Sequence, residues 1–291
     1  MISYRLVGQE FHFPGPVPEA VPFEISKNEG GTAEEAVPLI PISLALIKLI
    51  VRTEGWVANA QRRVEIWSAS AGFLLRTEGG NDFTISQDGR EIRCASQGQG
   101  GEMLNETDRQ ILLGPVLVLA LTLRGSWSLH ASAAIYKDAL ILFLGESGQG
   151  KSTLAGYLAN ETGWRLAADD ILPVTMGTNG VTAWPGFPQL KLPVDAQPGV
   201  ALPDQLPISK VCMLSNAGEN EMPALERLPA SQAIQAYLGH TAGTRLFAPD
   251  LLGKHLAFCS QAAERVPVYR LTYPHRWDAL PIVKGLLENL C

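Results

Sequence analysis

The stretch Gly145–Thr153 reads G-E-S-G-Q-G-K-S-T and fits the phosphate-binding loop pattern G-x-x-x-x-G-K-[ST]. The apolar run 139–144 precedes it and predicts a buried strand, and residues 152–159 carry apolar side chains at helical spacing. A strand, a glycine turn and a helix start direct backbone N–H groups and the positive end of a helix dipole at one point. The sequence therefore predicts a nucleotide site at this loop.

The residue types within the loop suit bound ATP and Mg²⁺. Its glycines allow the backbone to curl closely around an anion. Lys151 is expected to reach the β- and γ-phosphates, and the Ser152 hydroxyl to ligate Mg²⁺. An ordinary glycine turn is the alternative, and the flanking strand and helix disfavour it. We expect the whole loop to contact the nucleotide, through Gly145, Glu146, Ser147, Gly148, Gln149, Gly150, Lys151, Ser152 and Thr153.

The composition bounds the class of protein. A chain of 291 residues with 46% hydrophobic and 18% charged residues predicts a globular protein with room for two domains. A formal net charge of −6 disfavours a broad nucleic-acid or anionic-membrane surface, so we expect neither partner, although a local basic site stays open. Four scattered cysteines with no C-x-x-C pair disfavour a zinc site and a disulfide framework, and favour the cytoplasm.

No targeting or membrane-spanning segment is expected. The opening residues lack the basic and apolar regions of a signal peptide. The longest apolar run, 111–123, is too short to cross a bilayer and predicts a buried helix.

Residues 1–104 are predicted to form a β-rich N-terminal domain, and residues 105–291 a separate domain that contains the loop. The boundary is placed at 98–101, which reads G-Q-G-G. Residues 42–50 fit either a helix or a strand. Short runs rich in β-formers, separated by glycine turn signals, predict a meander of hairpins at 64–67, 73–76, 83–85 and 92–94, after a first strand at 3–7.

The second domain is predicted to begin with a helix that Thr107 caps, Pro115 kinks and Gly125 stops. A strand at 163–170 is expected to end in the carboxylates Asp169 and Asp170. Adjacent side chains on a strand point to opposite faces, but at a strand end both can approach the loop mouth. Further strands are predicted at 127–134, 211–214 and 266–271, and a last helix at 277–290.

Three segments together resemble the catalytic core of the HPr kinase/phosphorylase family. That family shares L-H-[AG]-x-x-V, then G-x-S-G-x-G-K-S, then R-L-x-A-D-D. The corresponding residues here begin at Leu129-His130-Ala131, at Gly145, and at Arg165-Leu166, in the same order and at similar spacing. The resemblance covers residues 130–174 and implies an α/β fold with a phosphate-loop kinase core of the HPr kinase/PEP carboxykinase type.

A looser resemblance covers most of the chain and points to HPr-kinase-like proteins of bacterial peptide-modification clusters, including lasso-peptide kinases. These share an opening Y-R-L-x-G, a segment P-G-x-P-x-L-[KR]-L and a tail V-P-V-Y-R-L. The matching stretches here are 4–8, 185–192 and 266–271.

The resemblance implies catalytic roles for several residues. Asp170 would accept the proton of the acceptor hydroxyl, Asp169 would be the Mg²⁺ partner, and His130 would orient Asp170 or contact the transferring phosphate. The alternatives are that the two aspartates cap the next turn, and that His130, flanked by apolar residues, is a satisfied core histidine. Arg165 is expected to be structural, and Lys191 either adds a positive charge at the phosphates or is a solvated strand residue.

The sequence also departs from the parent family. The segment E-[IV]-R-G, whose glutamate helps to hold the metal, is missing after the aspartates, and residues 185–191 stand in its place. The glycine-rich segment that serves phosphorolysis is unrecognisable. These departures weigh against phosphorylase activity and against HPr as the acceptor.

Three functions are therefore considered. The first is an ATP-dependent kinase for a serine-type hydroxyl of a peptide or protein, with a ribosomal precursor peptide as the most attractive acceptor. The second is a kinase of HPr or of a small-molecule hydroxyl, and the third a nucleotide-binding regulator without catalysis. The third is disfavoured because a pure binder has little need for Asp169 and Asp170. The acceptor, the reverse reaction and the oligomeric state stay open, a homo-oligomer included.

Overall fold

A computed structural model describes residues 2–18, 20, 24–25, 48–57, 59–94, 104–178, 180–185, 187–188 and 202–290. Contacts divide the chain into two compact units, Met1–Arg124 with Arg245–Ala248, and Gly125–Thr244 with Pro249–Cys291. The expected boundary at 98–101 lies outside the described residues. The helical segment that follows it groups with the first unit by contacts, whereas the sequence assigned it to the second domain.

The first unit is rich in antiparallel strands. A hairpin joins β1 (Ile2–Leu6) to β2 (Gln9–Phe13) through Val7 and Gly8, whose φ angles of 56° and 65° suit a type I′ turn. A five-stranded meander follows in chain order, and it confirms the strands predicted at 64–94 and shows residues 48–50 in a strand. Its strands are β3 (Lys48–Val57), β4 (Ala60–Ala69), β5 (Gly72–Thr77), β6 (Phe83–Ser86) and β7 (Ile92–Cys94).

The buried apolar segment is helical with a kink, as predicted. Helix α1 (Glu106–Ile111) continues through a π-helical turn, Leu112–Val116, into α2 (Leu117–Leu123). The turn contains Pro115, which lacks the backbone donor that a regular helix needs. The predicted cap was wrong, since the Asp108 amide donates to the side chain of Asn105 at 2.9 Å and Thr107 lies inside α1. Gly125, at φ 80°, follows the end of α2 as predicted.

The second unit is built on one mixed sheet. Its strand order is β11-β10-β8-β9-β12-β14-β13, in which β9, β12 and β14 are parallel and the other neighbours are antiparallel. Strand β11 also pairs with the start of β12, so five strands close into a ring. The strands are β8 (Trp127–Tyr136), β9 (Ala139–Leu144), β10 (Trp164–Gly177), β11 (Gly180–Ala183), β12 (Leu206–Asn216), β13 (Ala224–Arg227) and β14 (Val268–Tyr273).

A two-residue turn joins β8 to β9. Tyr136 pairs with Ala139, and between them Lys137 takes a positive φ of 54°. The turn therefore fixes the register of the two strands that lead to the predicted site.

Four helices of this unit are α3 (Lys151–Ala159), α4 (Ala230–His240), α5 (Pro249–Arg265) and α6 (Leu280–Glu288). Side chains of α3 and α6 share an apolar core with the parallel strands, and Phe143, Leu154, Leu271 and Val283 are fully buried in it. Helix α6 follows a short 3₁₀ turn, Trp277–Ala279, and confirms the predicted last helix. Helices α4 and α5 were not predicted. None of the helices in the described ranges is long and apolar enough to cross a membrane.

Candidate functional site

The predicted strand–loop–helix arrangement is present. Strand β9 ends at Leu144, the loop follows, and α3 begins at Lys151. Gly145, Gly148 and Gly150 have φ angles of 155°, 85° and 81°, in the region that favours glycine. The glycines therefore give the loop its curl, and the first turn of α3 directs its N–H groups toward the cavity described below.

Lys151 lies folded into the loop. Its side chain is almost completely buried, and Nζ donates to the carbonyl oxygens of Gly145 at 2.7 Å and Glu146 at 3.2 Å. These contacts hold an ammonium group at the point where the loop would receive phosphate. The Gln149 side chain helps to shape the same loop, because its Oε1 accepts from the Glu146 amide at 3.2 Å.

The two aspartates do not end their strand, contrary to the prediction. Strand β10 continues from Trp164 to Gly177, and Asp169 and Asp170 lie in its middle. The pairing with β8 shifts between Leu166 and Ala168, and Asp170 has a φ of 127°, which is rare for a residue other than glycine. This irregular backbone breaks the usual alternation of side chains, and both carboxylates line one cavity.

That cavity has a volume of about 190 Å³. It brings together the residues predicted for catalysis and for metal binding, whereas Gly145, Glu146 and Gln149 of the loop are not in its lining. Its walls are formed by His130, Ser132, Ser147, Gly148, Gly150, Lys151, Ser152, Thr153, Asp169 and Asp170.

Each carboxylate has its own contact on β8. Nδ1 of His130 lies 3.4 Å from Oδ1 of Asp170, and the Ser132 hydroxyl donates to Oδ1 of Asp169 at 2.7 Å. His130 is accessible from the cavity, with 36% of its side chain exposed, which disfavours the core-histidine interpretation. Sequence reasoning missed Ser132, although it lies two residues after His130 and therefore on the same face of a strand.

Tyr273 is a second residue that sequence reasoning missed. It ends β14, which is parallel to β12 and so reaches the same edge of the sheet as β9. Its hydroxyl lies 3.1 Å from the position that a Cβ on Gly150 would occupy. Burial raises the pKa of Tyr273 to about 12, so the phenol stays neutral beside the loop.

One basic residue considered from the sequence, Arg165, lies apart from this cavity. Arg165 is exposed on β10 and does not line it. The second basic residue considered from the sequence, Lys191, lies outside the described residues.

The donor set fits Mg²⁺ held together with a nucleotide. Among the described residues no group of three or more histidines, cysteines, aspartates and glutamates is arranged to hold a metal. Mg²⁺ is usually held by one or two carboxylates, with phosphate oxygens and water completing its octahedron. The cavity offers the Asp169 and Asp170 carboxylates and the Ser152 hydroxyl beside a phosphate loop, and this set suits such a shared site.

No family model matches the chain, and no curated protein matches it. Among solved structures, the chain is similar to the HPr(Ser) kinase/phosphatase from Coxiella burnetii at 15% sequence identity. The similarity covers 56% of this chain and 94% of that chain, with a TM-score of 0.34. The resemblance to HPr kinases therefore still rests on the sequence motifs.

Proposed function

We propose that this protein is an ATP-dependent kinase that transfers the γ-phosphoryl group to a serine-type hydroxyl of a peptide or protein. The observation that supports it best is the single cavity shared by Lys151, Ser152 and Asp170. Phosphoryl transfer needs a clamped nucleotide, neutralised phosphate charge and a proton acceptor close to the incoming hydroxyl. This cavity has a group for each requirement.

The loop forms the nucleotide side of the site. Its backbone N–H groups and the start of α3 attract the phosphates, and Lys151 balances their charge. Ser152 and Asp169 would hold Mg²⁺, which, when bound, neutralises charge on the β- and γ-phosphate oxygens. Asp169 therefore belongs to the nucleotide side of the site.

Asp170 and His130 form the acceptor side. As the acceptor oxygen bonds to the γ-phosphorus, the bond to the bridging oxygen of ADP breaks, and the hydroxyl proton passes to the Asp170 carboxylate. His130, with Nδ1 at 3.4 Å, keeps that carboxylate turned toward the cavity. A positioned base contributes roughly 10²- to 10⁴-fold to such a step. A loose transition state needs little help from a base, which favours the lower end of that range.

The acceptor is proposed to be a ribosomal precursor peptide. This part of the proposal rests on the motifs shared with kinases of peptide-modification clusters and on the missing E-[IV]-R-G segment, which separates the chain from kinases of HPr. A regulator that only binds nucleotide would have no use for a base on the acceptor side of the cavity. The carboxylates therefore favour an enzyme.

The test is phosphoryl transfer from Mg²⁺-ATP to a panel of acceptors, followed by mass spectrometry. The panel should contain serine-bearing precursor peptides chosen from neighbouring genes, HPr, and small-molecule hydroxyl compounds. We expect one phosphoryl group on a peptide serine, and none with Asp170→Asn over the same time. Transfer to HPr alone would contradict the proposed acceptor. Tight ATP binding with no transfer to any member of the panel would favour the regulator.

A further inference from the structure

The two carboxylates of β10 contact different residues of β8. His130 and Ser132 are two residues apart on β8, on one face, and each is close to a different aspartate. Asp169 and Asp170 are chemically identical, so a difference in their roles must come from their surroundings. The partners on β8 are one such difference.

The contact between Ser132 and Asp169 is short, and its serine is buried. Ser132 is 1% exposed, and its hydroxyl donates to Asp169 Oδ1 at 2.7 Å, the usual length for an O–H donor. The antiparallel register places the two residues directly opposite each other, and on its other side Ser132 pairs with Phe143 of β9. A donor in the middle of three paired strands has little freedom to move. It therefore holds the Asp169 carboxylate in one orientation.

The contact between His130 and Asp170 is longer and more exposed. At 3.4 Å it exceeds the common N–H···O distance, and 36% of the His130 side chain is accessible. The two carboxylates of β10 therefore differ in the length and the exposure of their contacts with β8. A carboxylate that holds a metal needs a fixed orientation. Partners behind a metal ligand supply it, because they hold the ligand in place and tune its affinity for the metal.

We propose that Ser132 is a positioning residue that orients Asp169 toward the Mg²⁺ of a bound Mg²⁺-nucleotide. The assignment rests on the proposed function in one respect, since it requires a nucleotide in the loop. It does not require an acceptor or phosphoryl transfer. Ser132 stands at a variable position of the motif L-H-[AG]-x-x-V, so the family resemblance assigns it no role. The paired register of β8 and β10 is what connects it to Asp169.

The test measures binding at equilibrium. The affinity for AMP-PNP, a non-hydrolysable ATP analogue, is determined by calorimetry with and without Mg²⁺, and their ratio gives the gain in affinity due to the metal. We expect Ser132→Ala to reduce that gain by roughly 10-fold, since a lost outer partner typically costs 10- to 100-fold in metal affinity or activity. The metal-free affinity should stay the same because the loop is intact. Ser132→Thr, which keeps the hydroxyl, should retain the gain.

Ser128→Ala is the matched control. Ser128 is a second fully buried serine of β8, and within the described parts of the chain its Oγ has no hydrogen-bond partner. Its replacement should leave the gain unchanged. Should Ser132→Ala fail to fold, Ser132→Val and Ser132→Thr repeat the test with two side chains of nearly equal shape, of which only threonine carries the donor.

An unchanged gain in Ser132→Ala, or in Ser132→Val where alanine fails to fold, would overturn the assignment. An equal loss in Ser132→Thr and Ser132→Val would overturn it too, because the hydroxyl would then be irrelevant. These outcomes are distinct from failure of the proposed kinase function. If the wild-type protein shows the metal gain but phosphorylates no acceptor, the function is wrong and the role of Ser132 is judged by the binding data alone.

Discussion

His130 contacts Asp170 diagonally across two strands. Their Nδ1 and Oδ1 atoms lie 3.4 Å apart, yet the register pairs Ala131 with Asp170 and His130 with Ile171. The diagonal contact coincides with the irregular backbone of β10, where Asp170 has a φ of 127°. Backbone strain of this kind is kept where the surrounding structure enforces it, often at functional sites. The position of this carboxylate therefore depends on the main chain as well as on its partner.

Replacing Asp170 by asparagine should separate binding from transfer. Asparagine keeps the size and, among residues other than glycine, tolerates positive φ well, so folding and ATP binding should remain nearly intact. Loss of the base should lower transfer by roughly 10²- to 10⁴-fold. Single-turnover transfer at saturating Mg²⁺-ATP measures the effect, and unchanged transfer would mean that Asp170 is not the base.

The rate of phosphoryl transfer by Asp169→Asn should instead depend on the Mg²⁺ concentration. A weaker ligand raises the Mg²⁺ concentration that half-maximal transfer requires, and added Mg²⁺ should recover much of the rate. The same single-turnover assay across a Mg²⁺ titration compares the two variants. Recovery of Asp170→Asn with no recovery of Asp169→Asn would show that the roles of the carboxylates are reversed.

Lys151→Ala should abolish transfer and weaken nucleotide binding. The variant loses the buried ammonium that contacts the carbonyl oxygens of Gly145 and Glu146, and with it the charge that balances the phosphates. Lys254→Ala removes an exposed lysine from α5 of the same unit and serves as the control. Nucleotide titration and transfer are measured for both variants. Normal transfer by Lys151→Ala would exclude this loop as the phosphate site.

Alanine substitutions of two glycines, one just before α3 and one inside it, should affect different properties of the protein. Gly150 has a φ of 81°, and an alanine Cβ there would lie 3.1 Å from the Tyr273 hydroxyl, so Gly150→Ala should distort the loop and weaken nucleotide binding. Gly156 lies inside the helix with nothing within 4 Å of an added Cβ. Gly156→Ala should raise the free energy of unfolding by about 1 kcal/mol. Urea unfolding and nucleotide titration test both, and nucleotide affinity at the wild-type level in Gly150→Ala would contradict the role of this glycine.

The buried His255 should make stability depend on pH. Its Nε2 lies 2.7 Å from Thr241 Oγ1 and 3.3 Å from Cys259 Sγ, and burial lowers its pKa. In the unfolded chain this histidine has a pKa of about 6.5, so near that pH it binds a proton more readily than in the folded protein. The free energy of unfolding therefore falls as the pH drops below about 6.5. The loss continues until the pH passes the lowered folded pKa.

Replacing this histidine should flatten that dependence. Urea midpoints of His255→Gln, measured from about pH 8 to about pH 5, should slope less than those of the wild type in the acidic half of the range. The exposed His275 provides a matched histidine replacement, His275→Gln, which is measured under the same conditions. An unchanged slope in His255→Gln would assign the acid sensitivity to other groups.

The phosphate loop was predictable because its signal is local. A strand, a set of glycines and the start of a helix follow one another in the sequence, and the structure has the same elements at the same residues. Four strands of the meander, at 64–94, were predictable for the same reason, because short runs rich in β-formers alternate there with turn signals. Strand β3 was not, since residues 42–50 fitted either a helix or a strand. Helices α4 and α5 were missed, and α5 carries exposed Leu252 and Leu256, which blur its apolar face.

The detailed geometry at Asp169 and Asp170 could not be predicted, because it depends on pairing between distant strands. The shift between Leu166 and Ala168 appears only when β10 is paired with β8, and it is this irregularity that brings both carboxylates into one cavity. Ser132 and Tyr273 were missed for a related reason. Their importance comes from neighbours 37 residues away in one case and from the edge of a parallel strand in the other.

The turn Lys137-Asp138 fixes how the acceptor side of the site is aligned with its nucleotide side. One arm of its hairpin, β8, carries His130 and Ser132, and the other, β9, leads straight into the phosphate loop. A slip of one residue between such arms turns every side chain on one of them to the opposite face. The spacing between the phosphate loop, which follows β9, and the side chains of His130 and Ser132 on β8 is therefore set at a turn that lies outside the site.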